Sequence, residues 1–205
     1  LIEARSCPLP ATGTTAKLSL EDGVVSIRAL SGAIGGGSFD LARETSLVLD
    51  GVTCVSRFDG AVELTAVTMR YPSQSFTGRV SGPLQVEGSN CGESVPKLSG
   101  DLILEQAKYR GTPGGSSASS RAAATRASVA LDIGLSAPGG NIFVKNDLVN
   151  AELATKTALR LTGDDTAWGI APGTLGLIAG KLFVQGVAFE LRKADIEFVD
   201  ARTLD

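Results

Sequence analysis

Histidine is absent from this chain of 205 residues, and aromatic residues and basic clusters are scarce. Without an imidazole, Ser-His-Asp and Cys-His catalysis, His-ligated zinc or iron and histidine proton shuttles are all excluded. Aromatic residues make up 5% of the chain, which gives little support to base-stacking platforms or aromatic carbohydrate clefts. The net charge is -3 and no strongly basic stretch occurs, so binding to a nucleic-acid backbone is disfavoured.

The sequence also lacks long hydrophobic runs and a recognisable leader. No run reaches the ~18 apolar residues of a membrane-spanning helix. The opening residues, LIEAR, have neither the basic start nor the apolar stretch of a signal peptide, and they include no initiator Met. The chain opens within strand-like sequence and closes on Thr203-Leu204-Asp205, so we expect it to be a piece of a larger protein.

Cysteine is represented three times, at Cys7, Cys54 and Cys91, with no CxxC spacing that would predict a metal site. An odd number excludes complete pairing within the chain. A disulfide between Cys54 and Cys91 is one interpretation, since both lie near predicted turns. Free thiols are the favoured one.

Alternation of apolar and polar residues, which is typical of a half-buried strand, recurs along most of the chain. The clearest run places Val129, Leu131, Ile133 and Leu135 on one face, with polar or small residues on the other. Around Ala66 and Val67 the apolar parity slips, which indicates a β-bulge or a strand that changes sides. We therefore predict an all-β fold of roughly twelve to fifteen strands, at ~8–12 residues for each strand and turn.

Turn sequences separate these runs, because Gly, Asn and Asp tolerate positive φ. We predict turns at 21–23, 50–51, 56–60 and 163–165. The three glycines at 35–37 predict either a tight turn or a close approach of another backbone.

A Gly-, Ser- and Ala-rich stretch, 111–127, is predicted to be a long flexible loop. It contains the only helical signal, at 119–126, which is shorter than the ~12–15 residues that a stable isolated helix needs. The loop divides the chain into an N-terminal sheet, 1–110, and a C-terminal sheet, 128–205. Two domains are one interpretation, and we favour one continuous sheet with an insertion.

Three motifs have both a functional and a structural interpretation. The glycine-rich segment 32–37 continues as a strand and lacks the Gly-Lys-Ser/Thr and the helix of a phosphate-binding loop. The Asp164-Asp165 pair resembles a calcium half-site or a catalytic carboxylate pair, but a solvated turn is favoured. Ser94 and Lys97 lack the spacing of a nucleophile–base dyad. We assign no catalytic residue, no metal and no cofactor, and we predict a non-enzymatic protein.

The most informative feature is a continuous aliphatic face with no predicted helix to cover it. Periodicity alone favours a closed β-sandwich, in which two sheets bury their faces against each other. A long sheet curled into an open hydrophobic trough and a β-solenoid are the alternatives. In the trough interpretation the lining residues are Leu18, Leu20, Val25, Ile27, Val62, Leu64, Leu102, Leu104, Val129, Leu131, Ile133, Leu135, Ile142, Val144, Leu159, Leu161, Leu175, Leu177, Ile196 and Phe198.

The C-terminal third carries a resemblance to a known family. The segments NIFVKNDLVNAEL (141–153), ALRLTG (158–163), GTLGLIAGKLFVQGVAFEL (173–191) and ADIEF (194–198) follow one another in order. This pattern resembles the C-terminal domain of the TamB family, the inner-membrane-anchored subunit of the translocation and assembly module. Over 14–110 the resemblance rests only on the style of glycine-flanked amphipathic strands. Ala194 stands where the family often has Gly, and 111–127 looks like an insertion.

The resemblance implies a fold, a location and partners. It implies an open trough (a β-taco) with a hydrophobic groove, in a periplasmic protein anchored in the inner membrane by an N-terminal helix absent from this fragment. It implies phospholipid transport between the two membranes, a role in outer-membrane biogenesis and protein secretion, and docking on an Omp85-class, TamA-like barrel through its POTRA domains. Such a protein would bind acyl chains and no nucleic acid.

Two rival functions remain at this point. A structural module, such as a β-solenoid stalk or an adhesin, would bury its aliphatic residues fully. A chaperone for unfolded outer-membrane strands would bind them at open sheet edges. An open trough further predicts that a charge at Leu131 or Leu177 leaves the chain folded, because the charge still reaches water.

Overall fold

The computed structural model describes residues 11–50, 54–71, 76–89, 95–110, 129–163, 168–171 and 173–198. These residues form fifteen β-strands and no helix, so the prediction of an all-β fold is confirmed. All fifteen strands belong to one hydrogen-bonded sheet. A sandwich of two separate sheets is therefore not the arrangement of this part of the chain.

The strands differ widely in length, from four to eighteen residues. In chain order they are β1 (Ala11–Glu21), β2 (Val24–Ile34), β3 (Gly37–Leu41), β4 (Thr45–Asp50), β5 (Cys54–Tyr71), β6 (Phe76–Gly88), β7 (Lys97–Tyr109), β8 (Ala130–Ser136), β9 (Ile142–Lys145), β10 (Val149–Thr157), β11 (Leu159–Gly163), β12 (Trp168–Ala171), β13 (Gly173–Val184), β14 (Val187–Leu191) and β15 (Asp195–Phe198).

The register shows that some consecutive short strands lie end to end and together occupy one position across the sheet, called here a row. Strands β8 and β9 both pair with β7, and β10 and β11 return along β9 and β8. In the same way β3 and β4 lie between β2 and β5, and β14 and β15 both pair with β13. The rows follow chain order across the sheet: β1, β2, β3 with β4, β5, β6, β7, β8 with β9, β10 with β11, β12 with β13, and β14 with β15.

Neighbouring rows are antiparallel except at one junction. Strand β7 pairs in parallel with β8 and β9, from Lys97 opposite Ala130 to Tyr109 opposite Val144. A parallel pair needs a long crossover connection, and the chain between these strands contains 111–127. That predicted loop lies outside the described residues. The parallel junction joins the N-terminal and C-terminal strands into the same sheet. Antiparallel pairing elsewhere is not the pattern of a parallel β-solenoid.

Local chemistry explains where the hairpins turn. Asp22 and Gly23 adopt φ of 48° and 78° between β1 and β2, and Gly35 and Gly36 adopt 57° and 77° between β2 and β3. Two successive positive φ values make the tight hairpin turn that matches strand twist. The turns expected at 21–23 and in the glycine run are therefore confirmed.

The turn expected at 56–60 is wrong, because these residues continue through β5. Phe58 pairs with both Leu47 and Gly88, so the strand has a partner on each side. Asp59, which suggested a turn, instead forms an ion pair with Arg43. Tertiary pairing here overrides the local turn preference of Asp-Gly. The turn residues Gly51, Asp164 and Asp165 lie outside the described residues.

The bulge expected at Ala66 is confirmed. The register of β5 against β6 shifts between Leu64 and Val67, and Ala66 has a φ of 54°. Cys54 begins β5, whereas Cys7 and Cys91 lie outside the described residues. The proposed Cys54–Cys91 disulfide therefore stays a prediction.

Candidate functional site

The register places all twenty predicted lining residues on one face of the sheet, called here the apolar face. Residues opposite each other in a ladder share a face, and so do residues two apart in one strand. One ladder line shows this alignment from β5 to β11. Its members are Val62, Leu84, Gly100, Ile133 and Leu161.

The opposite face, called the polar face, carries the intervening residues. Its members along the neighbouring ladder line are Glu63 and Pro83, and nearby lie Arg79, Lys97 and Asp132. A sheet with this division must hide one face from water, because burial of apolar surface is the dominant favourable contribution to folding.

A line of irregularities, called here the bulge line, crosses the sheet perpendicular to the strands. It passes through the register shift of β1 after Thr12, the bulge at Ala66, the shift of β6 against β7 at Arg79–Val80, the segment between β8 and β9, the shift of β10 at Thr155–Thr157, and the segment between β14 and β15. Bulges bend the strands that contain them, so this alignment predicts a bend across the sheet. The bulge line separates a narrow half, which holds β9 and β14, from a wide half, which holds β1, β8 and β15.

Polar side chains stabilise the bulge line where it crosses β5, β6 and β7. The backbone N–H of Ala66, freed by the bulge, donates to the hydroxyl of Ser81 at 2.8 Å. The same hydroxyl donates to the carboxylate of Glu105, which lies at the bulge in β7. Unpaired backbone donors are costly when buried, so this relay makes the bend a stable feature.

Comparable contacts continue across the C-terminal rows. The N–H of Ala137 donates to Thr155 Oγ1 at 2.8 Å, and the N–H of Thr155 donates to the Ala137 carbonyl at 3.1 Å. The N–H of Thr174 donates to Thr157 Oγ1 at 2.8 Å. Three threonine and serine hydroxyls therefore satisfy backbone donors that the regular ladder leaves unpaired.

Glycines permit the backbones of β6 and β7 to touch beside the bulge line. A Cβ added to Gly100 would collide with the carbonyl oxygen of Pro83, and one added to Gly82 would lie 2.7 Å from the carbonyl oxygen of Asp101. Gly82 also has a φ of 132°, which few other residues adopt. Both positions therefore require glycine for steric reasons.

Burial on the apolar face is greatest beside the bulge line. Val80 and Ala107 are fully buried, and Val67, Leu104 and Leu153 are nearly so. Other apolar residues of this face, such as Val86, Leu98 and Leu161, are half-buried. The elements described all belong to this one sheet, so the pattern is that of a sheet curling toward its apolar face.

The predicted lining residues divide into three groups by burial. The buried group consists of Leu102, Leu104, Leu131, Ile133, Ile142, Leu159 and Leu175. The half-buried group consists of Val25, Ile27, Val62, Leu64, Val129, Leu135, Val144, Leu161, Leu177 and Phe198. The exposed group, on the lateral strands β1 and β15, consists of Leu18, Leu20 and Ile196.

Sequence reasoning missed several residues of this face. Val80, Leu84 and Val86 alternate with polar residues in β6, so the period-2 signal was present but was interrupted by Gly82 and Pro83. Ser81 and Thr155 have no comparable sequence signal. Their importance depends on which backbone N–H lies opposite.

The polar face of the wide half carries a charge cluster around Asp132. Arg160 Nε donates a hydrogen bond to Asp132, and Lys97 Nζ lies 3.5 Å from its other oxygen. The hydrogen bond from Arg160 is the main reason that the pKa of Asp132 is below its usual value; desolvation opposes it, and Lys97 lowers the pKa further. Asp132 in turn raises the pKa of Arg160. Both charges therefore persist, and the cluster links β7, β8 and β11 at the parallel junction.

This arrangement offers an apolar surface rather than reactive groups. Within the described ranges, no group of three Cys, Asp or Glu side chains is placed to hold a metal ion. Of the two catalytic candidates considered, Lys97 is engaged by Asp132, and Ser94 lies outside the described residues. In the same part of the chain, no helix has the length and apolar character needed to cross a bilayer.

Comparison with known proteins leaves the family assignment as a prediction. No protein-family model, no curated protein and no solved structure matches the chain. The resemblance to the TamB family therefore rests on the ordered segments of 141–198.

Proposed function

We propose that this chain is a fragment of a TamB-like envelope-spanning protein whose apolar face forms an open groove for phospholipid acyl chains. In this proposal the groove carries phospholipid between inner and outer membrane and supports outer-membrane protein assembly and secretion. The protein acts in the periplasm, anchored in the inner membrane, and docks on an Omp85-class barrel through its POTRA domains.

The observation that carries the proposal is the graded burial of one continuous apolar face. From β5 to β13 the bulge line crosses six rows, a distance of about 24 Å at ~4.8 Å between strands. The hydrocarbon of one bilayer leaflet is about 15 Å thick, so an extended acyl chain fits lengthwise. Each CH₂ that such a chain buries contributes about 0.8 kcal/mol.

The half-buried side chains on the two sides of the bulge line are the expected contact surface. Leu84, Leu161 and Leu177 pack against the buried cluster and keep part of their surface accessible. The fully buried residues beneath them, such as Val80, form the floor that holds the sheet together. An acyl chain lying over this floor would cover the residues that the protein leaves partly open.

The test is photo-cross-linking at two neighbouring positions on β6. A photoreactive amino acid at Leu84 lies on the apolar face, whereas the same residue at Gln85 lies exposed on the polar face. We expect phospholipid adducts at Leu84 and none at Gln85 when the protein is extracted natively and analysed by mass spectrometry. Equal labelling at both positions, or labelling at neither, would contradict the groove.

A chaperone function is the second candidate, favoured by the lateral strands. Among the described residues β1 pairs only with β2, and β14 pairs only with β13. Such edges accept an added strand. Ala188→Pro in β14 would remove a backbone donor from one edge. If client binding falls with Ala188→Pro but survives Leu84→Asp, the edge is the functional surface and the groove is not.

A stalk or adhesin is less well supported. A purely structural module buries its aliphatic residues, whereas Leu18, Leu20, Val187 and Phe189 are each more than half exposed.

A further inference from the structure

Two hairpin turns at one corner of the narrow half break the separation of apolar and polar faces. The β9–β10 turn places Leu148 beside Phe183 of β13, whose N–H donates to the Leu148 carbonyl at 2.8 Å. Phe183 pairs with Ala188, which puts it on the polar face, while Val184 pairs with Val187 on the apolar face. We call Leu148, Phe183, Val184 and Val187 the tip.

The tip is exposed as well as apolar. Leu148 and Val184 are each 46% exposed and Val187 is 55% exposed, whereas Phe183 is half-buried. Elsewhere on the sheet, apolar residues of this size lie mainly on the apolar face. A corner that is apolar on both faces is poorly suited to water, and it is suited to a medium that surrounds it with hydrocarbon.

The two turns hold this arrangement firmly. Asn146 Oδ1 accepts hydrogen bonds from the N–H groups of Leu148 at 2.9 Å and Val149 at 2.8 Å. Gln185 and Gly186 adopt φ of 51° and 81°, the two positive values of a tight hairpin turn. The tip therefore needs little ordering when it meets a partner, which lowers the entropic cost of binding.

Cations flank the tip on the polar face. Lys145 and Lys181 each pair with Asn150 from opposite sides, so they lie about 10 Å apart, and both are exposed. Neither takes part in an ion pair within the described residues. The nearby carboxylates are Asp147 in the turn and Glu190 opposite Lys181. Exposed apolar residues with flanking lysines are typical of segments that enter a membrane interface.

We propose that the tip inserts shallowly into the surface of a phospholipid bilayer. Leu148, Phe183, Val184 and Val187 enter the boundary between headgroups and acyl chains, and Lys145 and Lys181 contact lipid phosphates. Leu148 lies in the β9–β10 turn rather than on edge strand β14, so a strand added to that edge would leave it uncovered. This docking is independent of whatever the groove carries.

The experiment measures flotation of the full chain with lipid vesicles. Vesicles of phosphatidylcholine alone are compared with vesicles that also contain phosphatidylglycerol. The test variant is Val184→Ser/Val187→Ser, and the matched control is Ile103→Ser/Ile178→Ser, a similarly exposed apolar pair that belongs neither to the tip nor to the predicted groove lining. Circular dichroism melting checks that both variants fold.

We expect the tip variant to bind vesicles about tenfold more weakly and the control to bind within about twofold of the parent chain. Lys145→Glu/Lys181→Glu is expected to weaken binding mainly to the vesicles that contain phosphatidylglycerol. Equal losses in tip variant and control would mean general stickiness and overturn the proposal. Unchanged binding of the tip variant, as for an acidic protein partner or a purely electrostatic surface, would also overturn it.

Failure of the tip proposal can be distinguished from failure of the groove proposal. Photo-cross-linking at Leu84 with phospholipid supplied in detergent micelles reports on the groove alone. If the tip variant loses vesicle binding but keeps Leu84 adducts, both ideas stand. If the tip variant alone loses vesicle binding and the parent chain gives no adducts at Leu84, the tip proposal stands and the groove fails.

Discussion

A charge placed on the apolar face should cost folding energy according to how deeply the substituted residue is buried. The two positions that test this are Leu131 in β8, which is 8% exposed, and Leu20 in β1, which is 65% exposed. Both are leucines on the same face of the same sheet, so Leu131→Asp and Leu20→Asp make the same chemical change in different surroundings. The structure thereby revises the expectation that a charge at Leu131 is tolerated.

The loss in free energy of unfolding expected for Leu131→Asp has two parts. Removing most of a buried leucine side chain costs about 2–5 kcal/mol, and placing an unpaired carboxylate among apolar neighbours costs several kcal/mol more. Leu131 pairs with Leu98, and both belong to the apolar cluster. Against the ~5–15 kcal/mol that holds an ordinary domain together, we expect Leu131→Asp to unfold the chain or to lower its melting temperature severely.

The loss in free energy of unfolding expected for Leu20→Asp is much smaller. About a third of the side chain is covered, so the loss is roughly a third of the ~1.5–3 kcal/mol for full burial, or about 0.5–1 kcal/mol. The introduced carboxylate stays in water. Leu177→Arg, at a half-buried position, should fall between the two.

The assay is urea denaturation followed by circular dichroism, with the free energy of unfolding compared among the three variants and the parent chain. The ranking Leu131→Asp, then Leu177→Arg, then Leu20→Asp supports an apolar face that is buried at Leu131 and open on lateral strand β1. Similar losses at Leu131 and Leu20 would refute the reasoning, because they would mean that the lateral strand is as well covered as the centre.

Three further predictions concern the backbone and the polar face. Ser81→Ala leaves the Ala66 N–H without its acceptor and should lower the free energy of unfolding by about 1–3 kcal/mol; Ser46→Ala, on the same face, is the control and should change it little. Gly100→Ala should destabilise the chain by about 1–3 kcal/mol, because the new methyl meets the Pro83 carbonyl, whereas Gly139→Ala, which meets open space, should be nearly neutral in the same denaturation assay. The lowered pKa of Asp132 means that its contribution is present above the usual carboxylate pKa and is lost as pH falls through the lower folded value. Asp132→Asn should therefore lose less stability than the parent chain between pH 7 and roughly pH 3, and an unchanged acid dependence would contradict the Asp132–Arg160 contact.

The fold class was predictable because alternation is a local property of the sequence. The run through Leu131 and Ile133 has one apolar and one polar face whatever the neighbouring strands are, and the slip at Ala66 marks the bulge directly. The turn expected at Asp59 failed for the opposite reason. Its outcome depended on Arg43 and on pairing with two other strands, which no local pattern reports.

The candidate site was predictable only as a list of residues and not as a shape. The twenty lining residues share a face, but their burial ranges from Leu102, at 4% exposed, to Leu20. That range depends on whether a residue lies on a central or a lateral strand and on the bulge line, which exists because register shifts in several rows fall at the same level. Register is a relation between strands that are far apart in the chain, so single-strand periodicity does not contain it.

The bulge line also explains why the same face can be both a core and a surface. A flat sheet of this size would expose its whole apolar face, and a closed sandwich would hide all of it. The most deeply buried residues of this face, Val80 and Ala107, lie beside the bulges at Ala66 and Glu105, whereas Leu98 and Leu161 stay partly open. The bulges therefore contribute both to the stability of the sheet and to its partly open apolar surface. Substitutions that remove a bulge should lower the free energy of unfolding and the lipid binding of the apolar face together.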